Sequence, residues 1–286
     1  MELRDLIGSI EQLEILCKSK SGQQLSGIFK SSKKGRGIVL DSIRKYEAGD
    51  DTRDINWNVT AKFRDTFINT FIEDKERLIW FLIDVSKSGV FGTIQKSKLD
   101  LSIEIGAALA YSALESKNSV GVIFFNDEIV KVIPPARGKA QFWHIAREMV
   151  RIKPCGKGTD LCRALQYLLK ITQKQSSVFI ISDFICENYE PVCKILAHKH
   201  ELTAICVSDE RDLNLPKMAW VKFKDAERSG GHWVNTSSAR FQNTYSKHHQ
   251  DFRSGFRSFF DRNNTRSLFI NTDDPFMEKL ITFMQG

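Results

Sequence analysis

The 286-residue chain carries a net charge of +7, with 42% of its residues apolar and 27% charged. That balance excludes the disordered and fibrous classes and allows a large core without disulfide or metal staples. No stretch approaches the ~18 apolar residues of a membrane-spanning helix. The opening "MELRDLIGSIEQLEILCKSK" mixes charges into its apolar positions from residue 2, unlike a secretion signal, so a soluble cytoplasmic protein is expected.

Residues 1–76 lack a regular alternation of strand and helix. They offer an amphipathic helix at the start, a basic glycine-containing stretch "KSSKKGRGIVL" (30–40) and a strand-like "TFINTFIED" (66–74), and read as an extension appended to a second domain, 77–286. Within the extension, Arg44, Asp50, Arg53 and Trp57 are expected to form a buried ion-pair and aromatic clamp. A partner-binding surface is the alternative.

From residue 77 the pattern becomes regular. "LIWFLID" (78–84) is a short continuous apolar run and predicts a buried strand, followed by a long helix over 99–117 with small residues for close packing on a sheet. "SVGVIFF" (119–125) is the next strand. After Asn126 and Asp127 comes "EIVKVIPP" (128–135), a hairpin neighbour whose Pro134 and Pro135 suit an antiparallel edge. Helices are predicted at 139–152 and 160–174, the second capped by Thr159 or Asp160. Then follow a strand at 177–184, a helix at 189–200, a strand at 202–209, a polar excursion over 210–238, a helix at 239–262 and a strand at 267–272. The last helix, 275–285, starts behind Asp273 or Asp274 and Pro275. Strands alternating with helices imply an α/β fold: a doubly wound, mostly parallel sheet with one antiparallel edge strand.

The six cysteines, Cys17, Cys155, Cys162, Cys186, Cys193 and Cys206, form no CxxC pair and read as reduced core thiols rather than zinc ligands or disulfide partners. The charge is concentrated. Residues 131–174 hold ten lysines and arginines against Glu148 and Asp160, a basic segment that would steer acidic partners.

In doubly wound sheets, ligands gather beyond the carboxyl ends of the strands where strand order reverses. Asp84 ends one strand, with Ser86 and Ser88 behind it. Asp183 ends another, and Thr159 lies in "GKGTD" (156–160) before the helix that leads to that strand. Asp84, Ser86, Ser88, Thr159 and Asp183 would form an all-oxygen donor set. Such a set suits a hard divalent cation, Mg²⁺ or Mn²⁺, with a vertex open to a partner's carboxylate.

"DVSKS" (84–88), with Thr159 and "ISDF" (181–184), resembles the metal-ion-dependent adhesion site of von Willebrand factor A domains. That resemblance implies that Ser86, Ser88 and Thr159 touch the metal directly and that Asp84 and Asp183 act mainly through water. "IRKYEAGDDTRDINWNVTAKFRD" (43–65) is similar to the signature of a bacterial family catalogued as domain of unknown function fifty-eight. The family resemblance implies an A-type domain with an N-terminal extension, working as an adaptor or co-chaperone for a MoxR-type AAA+ ATPase; no general base or second metal accompanies the two carboxylates, so an enzyme is not expected.

Other chemistries fit less well. "PCGKGTD" (154–160) breaks the GK[ST] element of a phosphate loop with Gly158, no G-x-S-x-G elbow is present, and the histidines read as lying away from the strand ends. A metal-dependent hydrolase built on Asp84 and Asp183 and a nucleic-acid-binding basic face are the two alternative classes.

Overall fold

The computed structural model describes residues 34–63, 65–72, 76–90, 97–156, 158–209, 221–224, 231–234 and 236–285, with isolated positions 15, 17, 24, 25 and 29. The amphipathic helix expected at the start lies almost wholly outside the described residues. The chain divides into two compact units, Ile28–Glu76 and a larger one of Arg77–Gly286 with Met1–Gly27.

The smaller unit is built on an antiparallel pair, β1 (Lys34–Lys45) and β2 (Phe67–Ile72). The loop between them is ordered by its carboxylates and amides. Asp50 accepts two hydrogen bonds from the Arg44 guanidinium, at 2.8 and 2.6 Å, and one from the Glu47 amide at 2.8 Å. The Arg44 hydrogen bonds hold the Asp50 carboxyl below its ordinary range. Asn56 caps the turn Trp57–Thr60 by accepting from the Val59 amide. The expected buried clamp is corrected here. Arg44 does meet Asp50, but Arg53 pairs instead with Asp51 at 2.9 Å, and Trp57 is 69% exposed. The acidic run lets each arginine find a carboxylate nearby in sequence, so neither pair needs burial.

The larger unit follows the expected rhythm. In chain order it contains β3 (Leu78–Asp84), α1 (Lys98–Glu115), β4 (Ser119–Phe125), β5 (Ile129–Ala136), α2 (Gly138–Arg151), α3 (Leu161–Ile171) and β6 (Ser177–Ser182). It continues with α4 (Glu190–Lys199), β7 (Glu201–Ser208), β8 (Val221–Lys224), β9 (Gly231–Val234), α5 (Ala239–Arg262), β10 (Arg266–Asn271) and α6 (Phe276–Gln285). Six strands form one sheet in the order β10-β7-β6-β3-β4-β5, parallel throughout except for the antiparallel edge β5. This is the expected doubly wound, mostly parallel arrangement with one antiparallel edge strand. The polar excursion over 210–238 holds more structure than expected, since β8 and β9 make an antiparallel hairpin within it.

Alternate residues of the central strands serve opposite faces. Trp80 and Leu82 of β3 pack with Leu165 of α3, Leu196 of α4 and Phe260 of α5. On the other face α1 comes close enough at Gly106 that a Cβ would stand 2.7 Å from Ile83 Cδ1. Gly121 of β4 pairs with Trp80, and a Cβ there would lie 2.7 Å from the buried indole. Gly121→Ala is therefore expected to cost about 1–3 kcal/mol by overpacking. The measurement is a lowered urea midpoint at unchanged m.

No disulfide joins any of the six cysteines, all of them described. Cys17, Cys193 and Cys206 are buried, while Cys155, Cys162 and Cys186 are only partly so.

Candidate metal centre

The chain goes from β3 to β4 on one side and returns to β6 on the other, so strand order reverses between β3 and β6. The residues that end these two strands face that crevice. β3 finishes at Asp84, and the Val85 amide donates to the Phe125 carbonyl at 2.8 Å, which carries the pairing one residue further. Asp84 Oδ1 then accepts from the Ser86 amide at 2.9 Å, a local side-chain turn that reverses the chain. The short helical turn Lys87–Val90 brings Ser88 back, and its hydroxyl lies 2.8 Å from that of Ser86.

Ser182 ties the two strand ends together. Its hydroxyl donates to Asp84 Oδ2 at 2.7 Å and accepts from the Phe184 amide at 3.1 Å. Asp183 Oδ1 accepts from the Ile185 amide at 3.1 Å, whereas the buried Oδ2 accepts no hydrogen bond. The turn after Asp183 depends on Phe184, which has a left-handed backbone with φ 55°, uncommon for a bulky residue. Its ring is pinned by Phe256, Tyr189 and Phe260 at centroid distances of 4.8, 5.7 and 5.9 Å, contacts that offset the backbone strain.

Both carboxylates are 7% exposed. Burial, and next the charge of Asp183, push the Asp84 carboxyl up to about 7, against the opposing hydrogen bonds from Ser86 and Ser182. A site that so disfavours its own negative charge calls for a cation. Part of that need is met by Lys98, whose ammonium lies 3.8 Å from Asp183 Oδ2.

Asp84, Ser88, Lys98, Ser102, Ser182 and Asp183 line a cleft of about 10 Å³, room for one ion or water. Thr159 is brought to the same end of the sheet by its loop: the Cys155 amide donates to the Val85 carbonyl at 3.3 Å and the Asp160 amide to the Asn126 carbonyl at 2.8 Å. Neither Thr159 nor Ser86 lines the cleft. Asp160 caps α3 by accepting from the Arg163 amide at 2.9 Å.

Among the described residues no group of three or more His, Cys, Asp or Glu converges. Two carboxylates, one with a buried oxygen that accepts no hydrogen bond, set among hydroxyls, fit a hard divalent cation that takes few charged ligands.

Two polar residues here lie beyond what the sequence pattern indicates. Ser182 is visible in it only as the residue before Asp183. Lys98 carries a signal, since a lysine in the first turn of a helix opposes the helix dipole and so invites a search for its counter-charge. The placement of the histidines also needs correction, because His248 and His249 of α5 line a cavity of about 550 Å³ together with Asp183, Phe184, Cys186 and Arg253. The register of a long helix against a strand end cannot be read from spacing alone.

Residues 42–255 match the family described as "Protein of unknown function DUF58". An uncharacterized protein of Mycobacterium tuberculosis is 30% identical over 225 residues, which cover 78% of this chain and 71% of that protein. Among solved structures, the conserved hypothetical protein BatB from Bacteroides thetaiotaomicron aligns over 73% of this chain and 97% of its own at 13% identity, with a TM-score of 0.48. The SpRpn10 VWA domain aligns over 74% of this chain and 98% of its own at 11% identity, with a TM-score of 0.43.

Proposed function

The chain belongs to the DUF58 family of proteins of unknown function, and on that premise we propose that residues 77–286 form a divalent-cation-dependent, non-catalytic protein-interaction domain. The observation that carries this reading is the pair of buried carboxylates at the strand-order reversal, one of them with an oxygen that accepts no hydrogen bond. Asp84, Ser88 and Asp183, which line the cleft, would hold Mg²⁺ or Mn²⁺, with Ser86 and Thr159 at the same end of the sheet completing the donor set if their loops close on the ion. The bound cation would supply a coordination position for a carboxylate from a partner protein.

The chain's own residues prepare that encounter. Ser182 fixes the Asp84 carboxylate, and the Ser86 amide holds its other oxygen. Ile185, 60% exposed directly behind Asp183, offers an apolar contact at the rim. The basic residues of 131–174 are all exposed, apart from Lys157, which lies outside the described residues, and they favour approach of an acidic surface. Family resemblance makes a MoxR-type AAA+ ATPase the partner of choice, with this chain as its adaptor.

A cysteine nucleophile is disfavoured beside the site, because burial pushes the Cys186 thiol up to about 12. A metal-dependent hydrolase is the second reading, and the observation favouring it is the cavity that places His248 and His249 on the same wall system as Asp183. Turnover of phosphate or carboxyl esters lost in His248→Gln would support it.

The interaction reading is tested by capture of the ATPase on immobilised protein. Binding is expected with Mg²⁺ and is expected to be lost in chelator and in Ser86→Ala. Undiminished capture under all conditions removes the cation from the mechanism.

A further inference from the structure

The cavity of about 550 Å³ between the end of β6 and α5 has the size of a site for a small organic ligand. Among the described residues that line it, Ile185, Val207, Phe252 and Phe269 make its walls largely apolar. Ile185, Glu187 and His248 belong to the same lining and are exposed, so the cavity opens to water.

One charge in this lining has no counter-charge. The Arg253 guanidinium lies over the Phe269 ring, 4.8 Å from its centroid, a contact that needs no hydrogen-bond donor and leaves its five N–H groups unspent. Among the described residues it donates no hydrogen bond and joins no carboxylate. The sequence gives the reason. Three and four residues away along α5 stand His249, Gln250, Phe256 and Arg257, none of them acidic. Yet Arg253 is only partly exposed, and its side chain is always charged. The two carboxylates of the lining do not serve it. Asp183 accepts from the Ile185 amide and has its other oxygen 3.8 Å from the Lys98 ammonium, while Glu187 stands in water.

We infer that this cavity is a binding site for an apolar carboxylic acid, its body lying against Ile185, Phe252 and Phe269 and its carboxylate on the Arg253 guanidinium. A planar guanidinium takes a carboxylate through two parallel hydrogen bonds, and apolar walls that displace water strengthen the pairing. Burial of the apolar body supplies the rest of the affinity. The head group sets the selectivity: an alcohol leaves the arginine charge unmatched, and an amine meets it with a like charge. The cavity shares Asp183 and Val207 with the cation cleft, but Arg253 is not in that cleft, so this site needs no cation.

Calorimetric titration of the full chain in the presence of chelator tests the assignment. Phenylbutyrate is the probe, with phenylbutanol and phenylbutylamine as its neutral and cationic counterparts. Wild type is expected to bind the acid at least tenfold more tightly than either counterpart. In Arg253→Met, which keeps an apolar contact with Phe269, affinity for the acid is expected to fall to that for the alcohol. The alcohol itself should bind this variant as it binds wild type, which reports an intact cavity. Arg253→Lys, which keeps the charge but not the paired geometry, should prefer the acid by less than wild type does. Crystals grown with the para-bromo derivative of phenylbutyrate should show an anomalous bromine peak inside the cavity.

Equal binding of the three compounds by wild type, no binding of the acid, undiminished acid binding in Arg253→Met, or bromine bound elsewhere overturns the proposal. If Arg253→Met does not fold, the ranking in wild type and the bromine position decide it. Every one of these outcomes leaves the cation-site reading where it stood.

Discussion

Asp183→Asn is expected to destabilise the metal-free protein by about 3 kcal/mol, although the side chain keeps its shape. Asp183 faces Lys98 across 3.8 Å with both side chains nearly excluded from water. Removing one member of a buried ion pair costs about 3–5 kcal/mol. The Ile185 amide keeps an acceptor in the asparagine carbonyl, so the loss comes from the charge and not from the turn. The Lys98→Met change made together with Asp183→Asn is expected to recover part of the lost stability, because the double variant removes both members of the pair. Urea denaturation of the four proteins in this cycle measures the coupling. A cost for Asp183→Asn below about 1 kcal/mol would mean that the pair is solvated in solution.

The second large effect concerns Asp84 and pH. Its carboxyl is pushed up to about 7 in the folded chain by burial and by Asp183, against about 3.9 in an unfolded one. Between those values the folded state binds more protons than the unfolded state, so metal-free stability falls as pH rises from about 4 to about 7 and is level above that range. A difference of that size between the folded and unfolded carboxyl corresponds to about 4 kcal/mol at most. Asp84→Asn removes this dependence. The Ser182 hydroxyl, which donates to Asp84 Oδ2 and accepts from the Phe184 amide, has a second acceptor site and can rotate to receive the new amide. The variant is therefore expected to be more stable than wild type at pH 8 by about 3 kcal/mol without metal, and to lose cation binding. Chemical denaturation at pH 4.5, 6 and 8 checks the slope. In wild type the same proton competes with the metal, so cation affinity should weaken about tenfold for each pH unit below about 7.

Much of the fold was legible because the core strands announce themselves. "LIWFLID" and "SVFIIS" are continuous apolar runs that end in polar residues at the strand ends, and helices of the right length separate them. Pro134 and Pro135 marked β5 as the edge strand. The β8–β9 hairpin was not legible, since "VKFK" and "GHWV" are short and mixed in polarity. In the extension, Arg44 pairs with Asp50, yet the exposed Trp57 shows that an arginine-rich, aromatic signature does not by itself specify a buried clamp.

The candidate site divides in the same way. Asp84, Ser86, Ser88 and Asp183 lie at strand ends whose order follows from the chain's alternation, and local spacing set the first three together. Thr159 reached the correct end of the sheet but not the cleft wall. Lys98 depended on how α1 docks. A residue at the start of a helix reads as solvated unless the crossover that buries it is known.

A single divalent cation held between the ends of β3 and β6 underlies the proposed interaction. Crystals grown with Mn²⁺ and measured near the manganese absorption edge would decide whether it binds there. The expected result is an anomalous peak in the cleft between the hydroxyl of Ser88 and the carboxylates of Asp84 and Asp183. A cleft without anomalous density at millimolar Mn²⁺, with Lys98 still against Asp183 even when a carboxylate ligand is supplied, would contradict it.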